Sequence, residues 1–158
     1  MILYESGEMR MTGRKYGKKD LSGKWKLRWA DGQRGSAKTN HLFVTDEDKW
    51  MEGTVPGEVH LDLIQAGLIQ EPTEGLNCLT GRWVEECLWC YRTTFAANDE
   101  AMGGPAWLYF EGLDYHAKIY LNEELVGEHA NFYVPCRIDV TGKLRRENLL
   151  VVIVDGGL

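Results

Sequence analysis

Leu88-Trp89-Cys90-Tyr91-Arg92-Thr93-Thr94-Phe95, then Ala106-Trp107-Leu108-Tyr109-Phe110-Glu111-Gly112-Leu113-Asp114, then Lys118-Ile119-Tyr120-Leu121-Asn122-Glu123-Glu124-Leu125-Val126, is the run that decides the fold of this chain. In the first segment Trp89, Tyr91, Thr93 and Phe95 share one parity and Leu88, Cys90, Arg92 and Thr94 the other. An extended backbone sends the two sets to opposite faces, and the bulkier set is expected in the core. The second segment is a short strand ending in a turn at Gly112. The third reads as a hairpin around Asn122-Glu123, where Asn tolerates positive φ and Glu does not readily, so a longer or less regular turn is expected.

Working outward, Trp25, Leu27 and Trp29 alternate with Lys24, Lys26 and Arg28, a half-buried strand closed by Asp31-Gly32. Glu58 to Ala66 changes period. Val59, Leu63 and Ala66 fall at helical spacing, Gly67 supplies a stop, and Glu58 and Asp62 suit the positive end of a helix dipole. One short surface helix near 58–66 is therefore expected, with His60 lying beside Leu63 and Ile64 and lacking a local partner for acid–base work. Residues 71–81, bracketed by Pro72 and Gly81, read as a loop, as do Gly103-Gly104-Pro105. Leu149 to Val154 is apolar on both parities and predicts a strand covered on both faces. Its further neighbours are expected downstream of the chain, which would leave an unpaired edge prone to association.

With 158 residues, 44% hydrophobic content and six Trp, the chain can bury one real core and is not disordered in bulk. A net charge of −6 argues against nucleic-acid binding, which needs a clustered cationic face. The basic cluster Arg14, Lys15, Lys18 and Lys19 sits in a glycine-spaced segment without periodicity, so residues 1–19 read as a flexible, solvated leader and 20–158 as the folded domain. Glu5, Glu8 and Arg10 interrupt any secretory apolar run and no stretch reaches membrane-spanning length, so no membrane partner and a cytoplasmic location are expected. The irregular spacing of Cys78, Cys87, Cys90 and Cys136 favours free thiols. Cys87 and Cys90 are three apart in a strand and diverge, which argues against a metal site. No cofactor is expected either.

Taken in order, Leu21-Ser22-Gly23-Lys24-Trp25, Val55-Pro56-Gly57-Glu58-Val59-His60-Leu61-Asp62-Leu63, Trp83-Val84-Glu85, Phe110-Glu111-Gly112-Leu113-Asp114, Ile119-Tyr120-Leu121-Asn122 and Asp139-Val140-Thr141 form a pattern. It resembles the N-terminal, sugar-binding-like β-sandwich of family 2 glycoside hydrolases, in particular the β-mannosidase branch, from Asp20 to Val154. The resemblance implies an all-β, galactose-binding-like jelly roll. It also implies that the two catalytic carboxylates belong to a (β/α)₈ barrel further along such an enzyme, so that this chain is a truncated front module, inactive alone, whose partner is that barrel. Two departures stand out. An Asp-Asn-Glu-like word is replaced by Gly75-Leu76-Asn77-Cys78-Leu79-Thr80-Gly81, and the Gly that usually follows the hairpin Asn is Glu123.

Retaining glycoside hydrolysis needs two carboxylates about 5–5.5 Å apart. Glu85 and Glu86 are consecutive and point apart if extended, and Glu111 and Asp114 flank a glycine turn, so no catalytic residue is assigned. Sugar binding asks for an exposed ring to lie under a pyranose and polar groups for its hydroxyls; Trp50, Trp83, Tyr115 and Asn131 lie outside the clearest strand cores and are the substrate-binding candidates. Each of these aromatics can equally serve core or interdomain packing. The function expected is a non-catalytic module that shapes the rim of a barrel. The alternatives are a free-standing carbohydrate-binding module or a structural interaction domain.

Overall fold

A computed structural model describes residues 2–8, 15–31 and 50–156. Ten strands dominate: β1 Ile2–Glu8, β2 Lys15–Asp20, β3 Gly23–Asp31, β4 Met51–Val55, β5 Cys87–Ala96, β6 Ala106–Phe110, β7 His116–Leu121, β8 Glu124–Ala130, β9 Cys136–Asp139 and β10 Glu147–Asp155. They form a four-stranded sheet in the order β2-β1-β6-β9 and a six-stranded sheet in the order β4-β3-β5-β10-β7-β8, with every pairing antiparallel. The all-β sandwich of two sheets expected from the sequence is what the chain adopts.

The alternation read from the sequence maps onto the layers. Trp25, Phe95, Ala117, Ile119, Leu121, Leu150 and Val152 of the larger sheet meet Leu108, Phe110 and Ile138 of the smaller one in a single buried cluster. Because six strands outspan four, the inner face beside β3 and β5 needs another cover. Helix α1, Val59–Gln65, supplies it: Leu63 is fully buried against Leu27, Val84 and Trp89. Glu58 precedes α1 and Gly67, at φ +70°, ends it, as the sequence predicts. The buried Asp62 carboxylate accepts the Thr54 backbone N–H at 3.1 and 3.2 Å through its two oxygens and so ties α1 to β4. That approach depends on Gly53, where a Cβ would stand 2.8 Å from the Leu27 Cβ and 3.4 Å from Asp62 Oδ2.

Four expectations need correction. Residues 2–8 and 15–20, read as a leader, are the strands β1 and β2, and β1 pairs with β6 from Ile2 opposite Phe110 to Ser6 opposite Ala106. A ribbon added to a sheet edge gains its hydrogen bonds from backbone and needs no alternating pattern, which is why periodicity missed it. Strand β10 lacks no neighbour: it lies between β5 and β7, with Val152 opposite both Tyr91 and Ile119, so its unpaired-edge reading fails. The β7–β8 turn is a two-residue connection with both Asn122 (φ 51°) and Glu123 (φ 73°) left-handed, and the irregularity sits instead as a register shift between Ile119 and Tyr120. The loop read at 71–81 contains the helical turn α2, Asn77–Thr80, and the loop read at Gly103-Gly104-Pro105 begins on the last residue of another, α3, Asp99–Gly103; Asn98 caps α3 by accepting the Ala101 N–H at 2.9 Å.

Candidate functional site

The sandwich has two unlike ends. At one, the β7–β8 turn and residues 140–148 are knitted by side-chain amides. At the other, the loops 111–115 and 131–135 cross between the sheets, joining β6 to β7 and β8 to β9. These two loops are adjacent, since His116 pairs with Ala130 and a Cβ on Gly112 would stand 3.7 Å from the Phe132 carbonyl oxygen. The last residues of β10 reach the same end, where the Tyr115 N–H donates to the Asp155 carbonyl at 3.3 Å.

Tyr115 is 46% exposed and Asn131 is exposed, so these two candidates come together on neighbouring loops. Asn131 shapes its loop: its side-chain oxygen accepts the Tyr133 N–H at 2.9 Å, and its carbonyl lies 2.6 Å from His129 Nε2. The loop then presents Phe132, Tyr133 and Val134 outward, with the Tyr133 side chain 90% exposed and its ring edge-on to Phe132 at a centroid distance of 5.3 Å. Sequence reasoning passed over this Phe-Tyr-Val triplet. The adjoining Pro135 and the absence of alternation there were the available signal that it belongs to a loop rather than a strand.

Trp83 lies apart from them. It sits in a 3₁₀ turn, Arg82–Glu86, and joins Trp29 and Trp89 in a ring cluster with centroids 5.5 to 6.1 Å apart. Trp29 and Trp89 stand on β3 and β5, and β10 separates these strands from β7. The cluster is anchored by Trp89 Nε1, which donates to the Val84 carbonyl at 2.9 Å, while Trp29 leaves its ring partly open to solvent.

Trp50 occupies a third place, the outer face of the six-stranded sheet. It is 7% exposed and packs with Cys90, Val151 and Ile153; the Arg92 and Arg28 guanidiniums lie 4.4 and 5.4 Å from the centre of its ring. A ring covered in this way offers no face to a pyranose. Burial there pushes the Cys90 thiol up to about 12, with Arg28 and Arg92 opposing. Cys87 belongs to the inner cluster with Leu27 and Leu63, so the two cysteines diverge across the sheet as their spacing requires. None of the four cysteines forms a disulfide, and Cys78, in α2, is exposed.

The carboxylates weighed for catalysis sit at two exposed places. Glu85 and Glu86 project from the 3₁₀ turn, and Glu111 and Asp114 from the 111–115 loop, all exposed. His60, expected to lack a local partner, has one: its Nδ1 is 3.3 Å from Glu58 Oε1, in a pair open to solvent. The hydroxyl of half-buried Tyr91 is driven above its ordinary range by desolvation and then by Asp62 and Glu58, a setting for packing rather than proton transfer. Among the described residues no helix is long and apolar enough to cross a membrane.

Comparison with known proteins agrees with this geometry. The glycosyl hydrolase 2 galactose-binding domain-like model matches residues 25–156. Beta-mannosidase B of Thermothelomyces thermophilus is 44% identical over 101 residues, which is 63% of this chain and 12% of that protein. Beta-mannosidase B of Aspergillus terreus is 38% identical over 125 residues, 76% of this chain and 15% of that protein. The crystal structure of the beta-D-mannosidase from Dictyoglomus thermophilum superposes with a TM-score of 0.71 at 33% identity, covering 87% of this chain and 15% of that one. This chain thus spans only a small part of the length of the relatives it matches. By its matched residues and its sandwich, the chain belongs to the glycosyl hydrolase 2 galactose-binding domain-like family.

Proposed function

We propose that this chain is the non-catalytic N-terminal module of a β-mannosidase-like enzyme whose complete polypeptide hydrolyses terminal β-linked sugars with retention. The module packs on the catalytic barrel and shapes the rim of its pocket. The observation that carries this reading is the match of residues 25–156 to the galactose-binding domain-like model, together with a 101-residue similarity that spans only 12% of a beta-mannosidase B. The exposure of Glu85, Glu86, Glu111 and Asp114 supports it, because retaining chemistry needs a close carboxyl pair in a shaped cleft. Purified residues 1–158 are expected to leave an aryl β-mannoside intact, whereas the sequence joined to a family barrel turns it over. Turnover by residues 1–158 alone would overturn the assignment.

A second reading, a free-standing carbohydrate-binding module, draws on the exposed Tyr115 beside the Asn131 loop. Calorimetric titration with mannose, mannobiose and galactose separates the two. Saturable heat abolished by Tyr115→Ala favours the sugar module; the enzyme-module reading expects none. We also place the protein in the cytoplasm, a reading supported by four cysteines that form no disulfide with one another.

A further inference from the structure

We propose that the loops 111–115 and 131–135 form the surface by which this module docks onto its catalytic domain, with Phe132, Tyr133 and Val134 as the anchor. The inference rests on the proposed function and adds the place of contact to it. Five successive residues, 131–135, are all exposed, and three of them are large and apolar. Leaving such side chains in water is unfavourable in proportion to their area, so a run of them on a stiff loop calls for a cover.

The loop is stiff. Asn131 holds its start through Tyr133 and His129, Pro135 limits its backbone, and buried Cys136 pins its far side to the core. An anchor already held in place loses little conformational freedom on docking, which is the property of interface hot spots. Exposed Glu111, Asp114 and Asn131 flank the rings and make the polar rim usual around such a centre.

The chemistry favours a protein surface over a sugar. Phe132 and Tyr133 meet with their planes at 75°, so they offer no shared platform for a pyranose, and Val134 adds an aliphatic contact that a hydroxylated ring does not seek. The position favours the catalytic domain. Tyr115 is hydrogen-bonded to Asp155 at the close of β10, so in the proposed enzyme the polypeptide that follows leaves the sandwich beside this loop. The opposite end has its amides satisfied internally and exposes Glu123, Glu124, Lys143, Arg145 and Arg146.

The probe is the Thermothelomyces thermophilus beta-mannosidase B produced without the segment that this chain matches. Residues 1–158 are titrated against it by calorimetry as the native sequence, as a Phe132→Ser/Tyr133→Ser variant, and as a Leu61→Ser/Leu79→Ser variant altering exposed leucines at α1 and α2. The native chain is expected to bind, the loop variant to bind at least about tenfold more weakly, and the helix variant to bind unchanged. The loop variant should melt at the native temperature when alone, because the altered side chains are exposed. Equal binding by the loop and native chains overturns this inference and leaves the proposed function standing. Absence of binding by the native chain removes both. Heat with mannose that is lost in the loop variant, with protein association unaltered, assigns the loop to sugar instead.

Discussion

The side-chain amide of Asn122 donates to the side-chain oxygen of Asn148 at 3.0 Å, across 26 residues of chain. Around that bond, Asn122 exchanges hydrogen bonds with Leu149 at 2.8 and 3.0 Å, and Asn148 exchanges them with Arg145 at 2.6 and 2.8 Å. Asn148 is 2% exposed and its amide also lies 3.4 Å from the Phe95 carbonyl. One buried amide therefore joins β5, β10 and the β7–β8 turn. It fixes Asn122, the first of two left-handed residues in that turn; the second, Glu123, takes a conformation that costs a non-glycine residue.

Replacing Asn148 by Leu keeps the forked shape but removes the partner of the Arg145 N–H and carbonyl and of the Asn122 amide. The expected loss is about 2–4 kcal/mol, read from urea denaturation midpoints at constant slope. An unchanged midpoint would mean the amide network contributes nothing net.

Glu123→Gly should stabilise. A left-handed non-glycine residue costs about 1–2 kcal/mol, and glycine's greater freedom in the unfolded chain returns part of the gain, leaving about 0.5–1 kcal/mol. Thermal melting of the single variant checks the sign.

The thiols should divide by burial. Alkylation of the native protein at pH 8 is expected at the exposed Cys78, with Cys87, Cys90 and Cys136 reacting only after denaturation. Cys90, buried and pushed up to about 12, should stay unmodified in the folded protein. Peptide mass mapping before and after urea reads this directly.

Asp139 gives a pH dependence of defined sign. Hydrogen bonds from the Thr141 hydroxyl and then from its N–H, at 2.8 Å, hold the carboxyl below the usual range. A lowered folded value means stability that is complete above the ordinary aspartate value, about 3.9, and lost as pH falls through the folded one. Asp139→Asn should flatten the acid limb of the stability curve and leave the neutral slope unaltered. An identical acid limb in the variant would refute the assignment.

Legibility followed locality. Trp25, Leu27, Trp89 and Phe95 declare their face because a strand's period is visible within a few residues, and Val59 and Leu63 declare α1 for the same reason. The apolar run at Leu149–Val154 correctly announced a strand with both faces covered: Leu150 and Val152 go inward, Val151 and Ile153 outward. Which strands flank it is a matter of pairing between distant segments, and neither period nor composition carries that. The same applies to Asn148, whose partner stands in another turn. Trp50 was legible as lying outside a strand, but its cover by Arg28 and Arg92 depends on the pairing of β3 with β4 and β5. Of the rings considered for ligand contact, Tyr115 is well exposed, while the Phe132–Tyr133 pair carried no pattern because loops have none.

The insertion of β10 between β5 and β7 bears on how this polypeptide is born. On the ribosome, β5 and β7 emerge before the element that separates them, and neither can satisfy its facing edge until the residues up to Asp155 have cleared the exit tunnel. Translation thus delivers the keystone last, and nascent chains stalled short of it should be the forms that chaperones hold.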